Sequence, residues 1–123
     1  MNITGFTQEQ KQALLDLLLI GMYADHNLAS AEDQRIQQLL DTFQFPSEYE
    51  REKYSDAAFT RASRQSASPE AIRAYVSQIV GHFPNREIRQ RAYGILDELL
   101  TSDSKVTSEE SELLKATKDI FQL

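Results

Sequence analysis

Apolar residues recur at intervals of three and four along the whole chain, with few β-branched runs and no alternating stretch. That period is the repeat of a helix with one buried face, and the period-2 pattern of a half-buried strand is missing. The expected fold class is therefore all-α. Thr7 with Gln10 forms a capping-box pattern that starts a first helix running to about Asp25, with Leu14, Leu15, Leu18, Leu19 and Met22 as its inward stripe. The polar turn Asp25-His26-Asn27 ends it and Leu28 anchors the reversal. Ser30 followed by Ala31-Glu32-Asp33 starts a second helix with Ile36, Leu39, Leu40 and Phe43 inward, and Pro46 interrupts the chain.

A third helix is expected from about Ser47, carrying Tyr49, Tyr54, Ala58 and Phe59, with Ser63 to Ser68 as the connection to the next. Ser68-Pro69-Glu70 places an N-cap, a proline at N1 and an acid beside the free amides of a fourth helix, whose inward residues are Ile72, Tyr75, Val76 and Ile79. Gly81-His82-Phe83-Pro84 ends it. A fifth helix carries Ile88, Ala92, Ile95, Leu96, Leu99 and Leu100, and Thr107 with Glu110 caps a sixth carrying Leu113, Leu114, Thr117 and Phe121. Six helices in 123 residues make a compact bundle, expected as a single domain over residues 1–123. Gly21 and Gly94 fall inside helices, where a missing side chain permits close helix approach.

Composition removes several chemistries. With no cysteine, the chain has no thiol nucleophile, zinc finger, iron–sulfur site or disulfide framework. The longest apolar stretch, Leu17 to Ala24, falls far short of the roughly 20 residues of a membrane span. The first residues lack a basic n-region, and Lys11 and Asp16 interrupt the apolar residues beyond them, so no signal peptide is expected and the cytoplasm is the expected location. Neither histidine lies in a nucleophile-elbow context and no glycine-rich phosphate loop is present, so no enzymatic activity is expected. His26 in its turn reads as solvated, and His82 near a helix end as a favourable partner of the dipole.

The formal charge of −6 is unevenly distributed: residues 1–56 carry −6, residues 57–95 carry +4 and residues 96–123 carry −4. The simplest consequence is mutual neutralisation on folding. The excess of acid disfavours nucleic acid, and Tyr75, Phe83 and Tyr93, the aromatics among the arginines, have core rather than stacking spacing. A protein partner is expected, without nucleic acid or membrane insertion.

A shift of 78 positions superposes the first helical hairpin on the last: Asp25 on Asp103, Leu28 on Val106, Glu32 on Glu110, Ile36 on Leu114 and Phe43 on Phe121. Leu17 and Leu18 likewise fall on Ile95 and Leu96. Matches of type at one fixed offset in two hairpins imply an internal repeat, expected to pack about a pseudo-twofold.

The repeated unit, an acid, a polar turn, an apolar residue and a second acid seven positions after the first, resembles the TerB-like family associated with tellurite resistance. It stands here as Asp25-His26-Asn27-Leu28-Ala29-Ser30-Ala31-Glu32 and as Asp103-Ser104-Lys105-Val106-Thr107-Ser108-Glu109-Glu110. The resemblance implies an all-helical, non-enzymatic domain whose turn acids bind divalent metal, acting in tellurite resistance or stress response. Related domains also occur as interaction modules. Where that family usually has glycine, this chain has His26 and Ser104, residues that bear strain at positive φ or take another turn.

On chemistry alone, Asp25, Glu32, Asp103 and Glu110 are the candidate metal ligands. Each pair flanks one turn, and packing the hairpins about a twofold would converge four carboxylates suited to Ca²⁺ or Mg²⁺. The seven-residue spacing does not fit an EF-hand loop. Each acid is also explicable without metal, as a cap: Glu110 completes the box with Thr107, Glu32 favours a helix N-terminus, and Asp25 and Asp103 close turns. An acidic helical interaction module without metal is the competing function.

Overall fold

The computed structural model describes residues 5–25, 30–101 and 108–123; the side chains of residues 24, 25, 30–33 and 109 lie outside that description. Six α-helices succeed one another: α1 (Gln8–Asp25), α2 (Ser30–Asp41), α3 (Glu48–Gln65), α4 (Pro69–Ile79), α5 (Arg86–Leu100) and α6 (Ser108–Phe121). A short 3₁₀ turn, Val80–His82, extends α4, and no strand occurs among the described residues.

The starts of the helices are set by local side-chain chemistry. The Thr7 amide donates to Gln10 Oε1 at 2.9 Å while the Gln10 amide donates to Thr7 Oγ1 at 3.1 Å, a reciprocal capping box. The Gln10 side-chain amide also donates to the His82 carbonyl at 2.9 Å, tying the start of α1 to the 3₁₀ turn. Ser47, Ser68 and Asn85 cap α3, α4 and α5 by accepting from Glu50, Ala71 and Ile88. The serine-rich stretch after α3 is shorter as a connection than its composition suggests: Ser63 to Gln65 remain helical and only residues 66–68 link α3 to α4.

The centre of the molecule is α1. Every residue from 13 to 22 is buried, so the helix is enclosed on all sides rather than along the single stripe its leucines suggested. It packs against each of the other five helices. Leu14, Leu15, Leu17, Leu18, Leu19, Ile20 and Met22 are essentially inaccessible, and each such side chain contributes about 1.5–3 kcal/mol of transfer free energy. The expected inward residues of α2, α5 and α4 are buried or half-buried. Tyr49 is not: it is 70% exposed. It stands five residues before Tyr54, about 140° round the helix from the Tyr54–Ala58–Ala62 row that faces inward.

Gly21 marks the closest packing. A β-carbon there would lie 2.8 Å from Leu100 Cδ2 and 3.4 Å from Leu113 Cδ2, so α1 approaches α5 and α6 closely enough that a side chain at 21 would make those leucine methyls shift. Gly94 does not share that role, because it faces open space on the outside of α5.

Candidate functional site

The internal repeat is visible in the backbone. Gln44 has φ of +56° and Gln122 has φ of +60°, the only non-glycine residues at positive φ among those described, and they are 78 positions apart. Each comes directly after a phenylalanine, Phe43 or Phe121, that is buried in the core. Both hairpins thus close on the same left-handed glutamine, a backbone state that costs a side-chain-bearing residue about 1 kcal/mol. The cross-contacts agree: α1 packs on α6 and α2 on α5, while α1 and α5 lie together. Arg35 of α2 and Glu98 of α5 join the hairpins at 2.8 Å.

Of the four sequence-predicted ligands, Asp25 is the last residue of α1 and Glu32 the third of α2, and both side chains lie outside the described residues. Asp103 lies wholly outside them, as do His26 and Thr107. Glu110, the third residue of α6, is fully buried. A carboxylate taken out of water costs several kcal/mol unless hydrogen bonds or a cation compensate it, and Glu110 is engaged within the structure. Among the described residues no three acids or histidines gather as a metal group.

What the described residues do fix is how the helices flanking the two turns meet. A β-carbon at Gly21, one helical turn before Asp25, would meet both Leu100, the last residue of α5, and Leu113, one turn after Glu110. The end of α1, the end of α5 and the start of α6 therefore meet at one end of the bundle. Carboxylate oxygens with no thiol in the chain are the donor set of a hard cation such as Ca²⁺ or Mg²⁺ rather than of a soft one.

A second polar constellation was not anticipated from sequence. Asp16, in the middle of α1, is only 8% exposed. It accepts from the Tyr75 hydroxyl of α4 at 2.5 Å and from Arg61 of α3 at 3.1 Å, so one carboxylate ties three helices together. Burial pushes the Tyr75 hydroxyl well above the usual tyrosine value, and its hydrogen bond to Asp16 adds to the shift. Tyr54 moves the same way, through burial and then the Asp16 charge. Burial alone would lower Arg61, but the adjacent Asp16 outweighs it and raises the guanidinium. The available signal was an acid inside the apolar run of α1; its partners lie 45 and 59 residues away and carry no local signature.

Among the described residues, arginines of the middle segment meet backbone carbonyls and a ring as well as an acid. Arg61 pairs with Asp16, whereas Arg86 and Arg89 donate to the carbonyls of Gln122 and Phe83, and Arg91 stacks on Phe6 at 4.9 Å. Tyr75 and Phe83 are buried and unavailable for stacking on bases.

Six helices arranged as two matched hairpins around an enclosed first helix, with a helical pair inserted between them, define an all-α bundle built on an internal repeat. The chain belongs to the TerB family: the model of the family described as tellurite resistance protein TerB matches residues 11–123, essentially its whole length. Comparison with curated proteins and with solved structures returned no match.

Proposed function

We propose that this chain is a non-catalytic cytoplasmic TerB-family module in which Asp25, Glu32, Asp103 and Glu110 hold one divalent cation, Ca²⁺ or Mg²⁺, and that it acts in tellurite resistance or a related stress response through a protein partner. The observation that supports the reading is the packing of the end of α1 against the end of α5 and the start of α6 at Gly21, the helix ends from which the two acid-bearing turns depart. An ion there would offset the mutual repulsion of four carboxylates and cross-link the two hairpins.

Thermal unfolding with and without added ion tests this, because a ligand that binds only the folded state stabilises by about 2.7 kcal/mol at one hundred times its Kd. Melting temperature should rise with Ca²⁺ or Mg²⁺ and lose that dependence in the Asp25→Asn, Asp103→Asn double variant. If the double variant is more stable than the parent and no ion raises either, the acids only repel one another, and the metal-free interaction module is the better description.

A further inference from the structure

We infer that the cleft between the start of α4 and the side of α6 that carries Glu112, Leu113, Lys115 and Ala116 binds a small organic anion, a single carboxylate carried on a short apolar body. The inference is independent of any ion at the hairpin turns. The cleft has a volume of about 360 Å³, within the range of small-ligand sites. Its floor is apolar: Leu113 and Ala116 of α6 are buried, and Ile72 of α4 is partly so. Arg73 and Lys115 stand on its two sides, one from each helix, and both are exposed.

The cations are what make the cleft specific. Six of the eight arginines are already held by the chain: Arg35, Arg51 and Arg61 by acids, Arg86 and Arg89 by carbonyls, Arg91 on a ring. Arg73 is one of the two that are not, and Lys115 likewise makes no ion pair or hydrogen bond with a described residue. In a chain with 19 acids and 13 basic residues, two uncommitted cations flanking one apolar floor constitute a positive site. Glu112 is the acid on its lining, so the net charge of the three is +1. That matches one carboxylate better than a phosphate dianion, and the apolar floor accounts for the body attached to it.

Hexanoate is the probe, titrated into the ¹⁵N-labelled full chain. Amides of Ile72, Arg73, Leu113 and Ala116 should shift in a saturable manner, with hexanamide and acetate each at least about tenfold weaker, since one lacks the charge and the other the body. Arg73→Gln and Lys115→Gln should each weaken hexanoate about tenfold, and Glu112→Gln should tighten it, because charges on this rim act in opposite senses. All three residues are exposed, so the variants keep the fold. Equal binding of hexanamide, shifts confined to other surfaces, or an unchanged affinity in both cation variants would overturn the inference. So would a tetra-aspartate peptide that moves the same amides where hexanoate does not, which would make the cleft a protein-docking site instead.

Discussion

Helices α1 and α5 are matched by the 78-residue offset and pack against each other, yet they occupy opposite kinds of environment. From residue 13 to residue 22, α1 has no exposed side. Over the corresponding stretch α5 is amphipathic, with Ala92, Ile95, Leu96, Leu99 and Leu100 inward and Gly94, Asp97 and Glu98 outward. The contrast is sharpest where Asp16, buried among α3 and α4, is matched by Gly94, which faces open space. The repeat fixes the hairpins, the left-handed glutamines and the turn acids. The inserted pair α3 and α4 breaks the equivalence, because α3 lies along α1 and α4 spans α1 and α6. A duplicated hairpin therefore keeps its local chemistry while its burial is set by what is packed over it.

The largest effect should come from the matched pair of positions itself. Asp16→Ala removes the buried acceptor of both Tyr75 and Arg61, and breaking such a pair costs about 3 kcal/mol at the lower end of the observed range, because the Arg61 side chain is 43% exposed. Gly94→Asp, at the corresponding place on α5, should change unfolding free energy by less than about 0.5 kcal/mol. Urea denaturation of both variants checks this. Similar losses at the two positions would mean that the helices are not environmentally distinct.

High pH probes the same cluster. The Tyr75 hydroxyl titrates above its ordinary value of 10.0 in the folded chain, so the unfolded chain releases that proton first. Its stabilising contribution is complete below pH 10 and is lost as pH rises further, by up to about 1.4 kcal/mol per pH unit. Tyr54 adds in the same direction. Melting temperature measured from pH 9 to 11 should fall more steeply in the parent than in Tyr75→Phe.

The two helix glycines should respond with opposite signs. Gly21→Ala meets Leu100 at 2.8 Å, and overpacking of about 1–3 kcal/mol less about 1 kcal/mol of helix propensity leaves a net loss near 1 kcal/mol. Gly94→Ala meets nothing and should gain about 0.5–1 kcal/mol. Smallest, and on the side where the two hairpins agree, Gln44→Gly and Gln122→Gly should each gain about 0.5 kcal/mol by relieving the same backbone state. A gain at one and a loss at the other would show that the two hairpin ends are not equivalent.

Helix starts were legible because a cap involves residues within three positions of each other, as at Thr7–Gln10, Ser47–Glu50 and Ser68–Ala71. The inward residues of α4 and α5 were legible for the same reason, since period alone selects a face. Tyr49 misled because an apolar side chain near a row is not on it unless the spacing closes. The full enclosure of α1 was obscured by reading its leucines as one stripe, when Leu17 and Ile20 on other faces are equally buried. The acids repeat at the fixed offset as a matter of sequence, and the Phe-Gln pairs at 43–44 and 121–122 repeat at the same offset without announcing their φ. The Asp16 cluster was not legible, because only tertiary packing brings Arg61 and Tyr75 to it.

The most direct measurement is a Mg²⁺ and Ca²⁺ titration of the ¹⁵N-labelled chain, read amide by amide through both hairpin turns. One shared ion predicts that amides of residues 25–32 and 103–110 move together, with a single dissociation constant, while the exposed outer face of α5 around Gly94 stays still. Turns that do not move at millimolar ion, or that move separately with different affinities, would contradict it.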